Sequence, residues 1–160
     1  MLGVTGLTVL CLTATTLTGC AATVPMEAAP LADDPACAEV IVRLPNQVDQ
    51  QPRQWTDAQS TGAWGKPSAI LLRCGVPELG PTTLPCETVD GVDWVIDDTN
   101  APNYVVTTFG RVPAVQVVLD TEIISSRNAL EELGQYMDYL PSNGRKCVGA
   151  KSAGRTDNQL

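Results

Sequence analysis

The stretch that decides the fold is residues 64–94, which read WGKPSAILLRCGVPELGPTTLPCETVDGVDW. Its first apolar run, residues 69–74, is short and is closed by glycine and proline, which favours a strand over a helix. Its second run, residues 92–97, alternates apolar and polar side chains after an Asp-Gly turn, as half-buried strands of hairpins do. Residues 64–94 therefore predict two strands of a sheet.

Two further runs lie beyond this stretch and are rich in valine and threonine. They cover residues 104–111 and 114–119, and a turn at Val112 and Pro113 separates them. Valine and threonine favour strands, and short connections of this kind favour antiparallel neighbours. Together the four runs predict a mainly antiparallel meander.

A helix is predicted before the sheet. Asp34 can cap free backbone amides, and Pro35 suits the first helical position because its missing N–H costs nothing there. From Cys37 to Leu44 the apolar residues recur at i, i+3, i+4 and i+7, and Pro45 ends the pattern. The spacing places the side chain of Cys37 on the face that packs against the core.

A second helix is predicted after the sheet, because the apolar residues of 122–140 return to helical spacing and stop before Pro141. The expected fold class is α+β. It has a roughly four-stranded, mainly antiparallel sheet, an N-terminal and a C-terminal helix packed on it, and two disulfides.

Several short motifs occur in a fixed order along the chain. They are Cys37-Ala38 after Asp-Pro, Leu44-Pro45, Trp64-Gly65, Leu72-Arg73-Cys74-Gly75-Val76, Gly91-Val92-Asp93-Trp94 and residues 107–111. In this ordered set the chain resembles a family of actinobacterial secreted proteins and lipoproteins, the domain of unknown function number 3515. The resemblance covers about residues 35–140 and implies an exported envelope domain, with no catalytic residue attached to it.

The cysteines of an exported domain are expected to pair, and four of them allow three connectivities. We favour Cys37 with Cys74, because both lie on predicted core faces and both belong to segments that resemble the family. Cys86 with Cys147 then follows. The other two connectivities remain alternatives at this point.

The N-terminus carries an apolar, threonine-rich leader that runs into Leu17-Thr18-Gly19-Cys20. This resembles the lipobox of bacterial lipoproteins, which implies that Cys20 is acylated with fatty acids such as palmitate and becomes the mature N-terminus. The leader departs from the usual pattern because it has no Lys or Arg near its start. The alternative is an ordinary signal peptide, which would release a secreted protein.

These features predict four segments. Residues 1–19 are expected to be a lipoprotein signal peptide and residues 20–33 a flexible tether rich in alanine and proline. Residues 34–141 are expected to form a single α+β domain, and residues 142–160 a mostly disordered tail pinned at Cys147. The predicted location is the extracytoplasmic face of the cell membrane, held by a lipid anchor.

Charge and composition exclude several functions. The 160 residues have a formal net charge of -8, which argues against nucleic-acid binding because phosphate contacts need clustered Lys and Arg. The sequence contains no histidine, which removes nucleophile systems based on histidine and all histidine-ligated metal sites. No cofactor is expected, and no catalytic residue is proposed.

Two sets of side chains are candidate sites. Three tryptophans could serve as recognition aromatics, although a tryptophan covering the edge of the core is the more common case. Four aspartates of one segment could bind Ca²⁺ or supply the acid and base of a glycosidase, but their spacing favours a solvated acidic face and no metal. The tryptophans are Trp55, Trp64 and Trp94, and the aspartates are Asp90, Asp93, Asp97 and Asp98.

Three functions remain, in order of preference. The first is a membrane-anchored, non-catalytic interaction module or accessory subunit of a cell-envelope complex. The second is a lipoprotein that binds a small ligand or glycan, which requires an exposed aromatic side chain beside a cleft. The third is an envelope hydrolase, which requires paired carboxylates that face one cleft.

Overall fold

The computed structural model describes residues 23–148. In this part of the chain a single sheet of eight strands is formed, not the four-stranded sheet that the sequence predicted. The strands are Gln47–Val48 (β1), Gln51–Gln54 (β2), Thr61–Trp64 (β3), Ile70–Val76 (β4), Cys86–Val89 (β5), Val92–Asp97 (β6), Asn103–Thr108 (β7) and Ala114–Asp120 (β8).

The strands lie in the order β1-β2-β3-β4-β8-β7-β6-β5, and every neighbouring pair is antiparallel. The four runs predicted from the sequence are β4, β6, β7 and β8, and β4 pairs with β8 at the centre of the sheet. One row of partners crosses six strands on the face opposite the helices. It consists of Thr61, Arg73, Gln116, Thr107, Val95 and Cys86.

The predicted sheet was too small because four strands lack the usual apolar pattern. Strands β1, β2 and β3 lie in or next to the polar residues 46–63, which the sequence predicted to be a long loop or a short irregular strand. Strand β2 reads Gln-Pro-Arg-Gln, and its neighbours supply the backbone partners that make it a strand. Strand β5 is held to β6 across the tight turn at Asp90 and Gly91. Backbone pairing therefore overrides local propensity in these strands.

The helices cover one face of the sheet. Helix α1 spans Pro35–Ile41 and is capped by Asp34, whose carboxylate accepts a hydrogen bond from the backbone N–H of Ala36, as predicted. Helix α2 spans only Ser126–Gly134, and a 3₁₀ helix follows at Met137–Tyr139. The predicted helix over 122–140 is therefore two shorter ones. Within residues 23–148, no helix has the length and apolar character that crossing a membrane requires.

Helix α2 contacts both β1 and β5, the two ends of the strand order. The sheet must therefore curve around the helices, and its concave face encloses the core. The buried side chains of this core include Cys37, Val40, Trp64, Ile70, Leu72, Cys74, Trp94, Val106, Val117, Leu119, Leu133 and Met137.

Both predicted disulfides are confirmed. Cys37 of α1 is bonded to Cys74 of β4, and Cys86 of β5 is bonded to Cys147. The first ties helix α1 to the central strands, where both cysteines are fully buried. The second ties the C-terminal segment to the outer face of the sheet, at the end of the row of partners that crosses it.

Residues 23–33, the described part of the predicted tether, are attached to the domain. The backbone N–H of Val24 donates to the carbonyl oxygen of Trp55 at 2.7 Å, and that of Leu31 donates to the carbonyl oxygen of Gly75 at 2.8 Å. Gly75 has a φ of +101°, and a Cβ there would lie 2.4 Å from the backbone nitrogen of Ala32, so glycine is required. The segment crosses the end of β4 before it enters α1.

The C-terminal segment is attached as far as residue 148. Ser142 forms a β-bridge with Arg111, and the backbone N–H of Asn143 donates to the carbonyl oxygen of Gly110 at 3.0 Å. The predicted signal peptide, the predicted lipidation site Cys20 and residues 149–160 lie outside the described residues.

Candidate recognition surfaces

The three candidate tryptophans lie in two different environments. Trp64 and Trp94 are fully buried in the core, whereas Trp55 is 77% exposed. The indole Nε1–H of Trp64 donates to the carbonyl oxygen of Pro45 at 3.0 Å, and that of Trp94 has no partner among residues 23–148. Of the three, Trp55 is therefore the side chain that can meet a ligand.

Trp55 lies beside a groove between the end of β2 and the end of α1. The groove has a volume of about 480 Å³ and is lined by Ile41, Val42, Asn46, Arg53, Gln54 and Trp55, and we name it the Trp55 groove. Val42, on its opposite wall, is 75% exposed. This arrangement meets the requirement for an exposed aromatic side chain beside a cleft.

The floor of the Trp55 groove is held by Arg53. Its guanidinium group donates to the carbonyl oxygens of Leu44 at 2.8 Å and Ile41 at 3.4 Å, and lies 6.0 Å from the ring centroid of Trp64. Burial lowers the pKa of Arg53 from its usual value. The arginine thus joins the end of α1 to β2 and leaves the indole of Trp55 projecting from a fixed backbone.

A second exposed aromatic side chain is linked to the Trp55 groove through Arg43. Tyr139 of the 3₁₀ helix is 47% exposed, and the guanidinium carbon of Arg43 lies 4.3 Å from its ring centroid. Arg43 directly follows Val42 and also pairs with Glu39. Tyr139 therefore packs on the residue that follows Val42 in the chain, although Tyr139 and Arg43 do not line the groove.

The acidic segment does not form one solvated face, because Asp93 is buried with only 5% of its surface exposed. Its carboxylate accepts hydrogen bonds from the hydroxyl of Thr88 at 2.6 Å and from the backbone N–H of Cys147 at 2.9 Å. The periodicity of β6 placed Asp93 on the outer face correctly but could not show that the C-terminal segment covers this face. The Cys86–Cys147 pairing is the signal that could have revealed it.

The other three aspartates line neither the Trp55 groove nor the larger groove described below. Asp97 accepts hydrogen bonds from the side chain and the backbone of Thr99, which lower the pKa of Asp97. Asp90 lies in the turn between β5 and β6, and Asp98 is exposed. Residues 23–148 contain no group of three or more acidic or cysteine side chains that could hold a metal ion.

A second groove lies on the outer face of the sheet, beside the Cys86–Cys147 disulfide. It has a volume of about 580 Å³, and we name it the Leu84 groove. Neither this groove nor the Trp55 groove is lined by an aspartate or a glutamate. The residues that line it are Pro81, Thr82, Thr83, Leu84, Pro85, Cys86, Val95, Phe109, Arg145, Lys146, Cys147 and Val148.

The Leu84 groove combines apolar walls with basic side chains. Leu84 is 40% exposed and Val148 is 98% exposed. Arg145 donates to the carbonyl oxygen of Leu79 at 3.2 Å and lies 3.6 Å from the carboxylate of Glu78. Lys146 is exposed and makes no ion pair with any residue of the described range 23–148. The groove therefore offers one available cation beside apolar surface.

Long-range contacts assemble this groove. Cys147 is fixed by its disulfide and by Asp93, and the side-chain amide of Asn143 donates a hydrogen bond to Glu78, which precedes the other wall in the chain. Leu84, Phe109 and Lys146 were not predicted from the sequence, because residues 81–86 and 145–148 meet only in the folded chain. The closely spaced prolines Pro81 and Pro85 are a weak signal of an ordered, exposed wall.

No curated protein and no solved structure matches the chain significantly. The model of one protein family does match, over residues 1–143, and this range includes most of the described fold and both walls of the Trp55 groove. Because the match spans most of the 160 residues, the chain belongs to the family described as proteins of unknown function, DUF3515.

Proposed function

We propose that this protein is a non-catalytic, extracytoplasmic lipoprotein that acts as an interaction module or accessory subunit of a cell-envelope complex. In this proposal the signal peptide is removed and Cys20 carries the lipid that holds the domain at the membrane. Two features support it: the Leu-Thr-Gly-Cys motif that ends at Cys20, and two disulfides, which suit an oxidising compartment.

The observation that carries the proposal is the Leu84 groove. Its volume of about 580 Å³ lies within the usual range for binding clefts, and its mix of apolar walls and few polar groups is typical of them. The disulfide and Asp93 fix one wall against the sheet. A fixed groove binds with a smaller loss of conformational entropy than a mobile one, because less has to be ordered on binding.

The chemistry of the groove indicates the partner. Leu84, Phe109 and Val148 offer apolar contacts, and Lys146 offers a positive charge at the rim. An extended segment of a partner protein, with apolar side chains and a carboxylate, would complement both. The protein as a whole has a net charge of -8, whereas the groove is lined by Arg145 and Lys146 and by no acidic side chain. An acidic segment would therefore be attracted to the groove and repelled by most of the remaining surface.

The experiment is cross-linking in native membranes followed by mass spectrometry of the proteins recovered with this one. We expect the unchanged protein to recover a discrete and reproducible set of partners. Leu84→Glu should reduce this recovery about tenfold, because it places a carboxylate on the apolar wall and costs at least about 1.4 kcal/mol of binding free energy.

Ile123→Glu is the matched control, because Ile123 is also an exposed apolar side chain, 48% exposed, and lines neither groove. It should leave the set of partners unchanged. Recovery of the protein without partners, or equal recovery by both variants, would contradict the proposal.

A further inference from the structure

The Trp55 groove adjoins the point where the chain leads toward Cys20. Besides the 2.7 Å hydrogen bond from its N–H to the carbonyl oxygen of Trp55, Val24 forms a parallel bridge with Thr56. The backbone N–H of Met26 donates to the carboxylate of Asp57 at 2.8 Å. The backbone beside the exposed indole is therefore bonded directly to the N-terminal segment.

The length of chain between the two sites limits their separation. Four residues lead from Cys20 to Val24, and a fully extended chain of that length spans at most about 14 Å. The fatty acids of an acylated Cys20 lie in the bilayer. The backbone of Trp55 must then lie close to the polar headgroups, whatever path these residues take.

The side chains around Trp55 suit that position. Tryptophan and tyrosine are enriched at membrane interfaces because their rings are apolar and their N–H or O–H remains hydrated. Trp55 and Val42 are 77% and 75% exposed, and Tyr139 is 47% exposed. Arg43, stacked on Tyr139 and paired with Glu39, can keep its guanidinium group in the headgroup region while its stem lies on apolar surface.

We propose that the Trp55 groove is a membrane-contact site, in which Trp55 and Val42 enter the headgroup region of the bilayer that carries the lipid of Cys20. This contact rests on the proposed function, because it requires the anchor at Cys20. It adds a second membrane contact to the acyl chains, and two such signals bind a membrane far more stably than one.

The contact also sets the orientation of the domain. Strand β2 leads into Trp55, and strand β5 borders the Leu84 groove on the outer face of the sheet. The two grooves share no lining residue. A membrane contact made by the Trp55 groove therefore does not itself cover the residues of the Leu84 groove, which can still meet a partner protein.

The test is quenching of tryptophan fluorescence by lipid-borne bromine. The full chain is produced in a host that processes lipoproteins and is reconstituted in phosphatidylcholine vesicles, some with bromine on the acyl chains near the headgroup. We expect brominated vesicles to quench the unchanged protein. Trp55→Phe should abolish the quenching, because the two remaining tryptophans are fully buried.

The matched control is the double variant Trp55→Phe, Ile123→Trp. Residue 123 is exposed and lies two residues before Ser125, whose backbone N–H donates to the carboxylate of Asp49 before the start of β2. Trp55 follows the other end of β2, so the two tryptophans lie toward opposite ends of this strand. Brominated lipid should not quench it. Quenching of both tryptophans alike would overturn the oriented contact.

Mass spectrometry of Cys20 separates the two proposals. An unacylated Cys20 in the membrane fraction would refute the anchor and, with it, the contact. An acylated Cys20 with an unquenched Trp55 would overturn the contact alone. If Trp55 remained unquenched by lipid but responded to soluble cell-wall glycan fragments, the groove would be a sugar site and the membrane contact would again be refuted.

Discussion

Residues 41–55 form the whole of the Trp55 groove, whereas the Leu84 groove is assembled mainly from residues 81–86 and 145–148, with single residues from β6 and the end of β7. The first depends on contacts between neighbours in sequence, such as the hydrogen bonds of Arg53 to the end of α1. The second depends on a disulfide that joins residues 61 positions apart. Local construction makes a site robust to remote changes, and long-range construction makes it sensitive to them.

The disulfides provide the largest test of this difference. In the chain-entropy model the two bonds, with sequence separations of 37 and 61, each stabilise the fold by about 4 kcal/mol. We expect Cys37→Ala with Cys74→Ala to destabilise the whole domain, because both cysteines lie in the core between α1 and β4. Chemical unfolding should show one transition at a lower denaturant concentration.

Cys86→Ala with Cys147→Ala should act differently. It frees the C-terminal wall of the Leu84 groove, so hydrogen exchange should rise at residues 143–148 and recovery of the partners should be lost. The quenching of Trp55 by brominated lipid should persist. If this variant also lost the membrane contact, the two grooves would not be independent.

Asp93 provides a smaller test of the same wall. Asp93→Ala removes the acceptor for Thr88 and for the backbone N–H of Cys147, and hydrogen bonds to a buried charged group contribute about 2 kcal/mol to stability. We expect a loss of about that size in the free energy of unfolding, together with weaker recovery of partners.

The control for Asp93 is Asp98→Ala, five residues along the same acidic segment. Asp98 is exposed, so its substitution should change stability by less than about 0.5 kcal/mol. Equal effects of the two substitutions would show that Asp93 acts only as part of the acidic surface charge. The wall of the Leu84 groove would then be held by the disulfide and the contacts of residues 142–145, without a contribution from Asp93.

The sequence was most informative where one pattern decided the outcome. Apolar residues at helical spacing after Asp34 predicted α1, and Val92–Asp97 matched β6 to the residue. Both disulfides were predicted by combining a core face with a family resemblance. Helix α1 and strand β6 could be predicted because their patterns lie within a few neighbouring residues. The disulfides could be predicted because cysteines of an exported domain are expected to pair.

The pattern failed where structure depends on distant neighbours. Strands β1 to β3 carry glutamine, proline, arginine and glycine where apolar residues were expected. They belong to the sheet because β3 pairs with β4, β2 with β3, and β1 with β2. The curvature that brings α2 to both ends of the sheet has no local signal. For the same reason the sequence named Trp55 but not its exposure, and it did not indicate the Leu84 groove at all.

The smallest effect is expected from a comparison of the two buried tryptophans. They lie in strands on either side of the central pair of β4 and β8. Trp64 of β3 supports the Trp55 groove through Arg53, and its Nε1–H is bonded to Pro45. Trp94 of β6 lies next to Asp93, and its Nε1–H has no partner in the described part of the chain. Phenylalanine at either position removes the N–H and leaves a cavity of similar size.

Trp64→Phe should therefore destabilise the protein more than Trp94→Phe, by about 1–2 kcal/mol in the free energy of unfolding. The first substitution removes a satisfied hydrogen bond and the larger ring under Arg53, whereas the second removes a donor whose burial already costs free energy. Denaturant unfolding of both variants measures this difference, provided that the free energy of unfolding depends on denaturant concentration with the same slope in both. Equal losses would mean that a buried water accepts a hydrogen bond from the Nε1–H of Trp94. The indole N–H groups of both buried tryptophans would then be hydrogen-bonded.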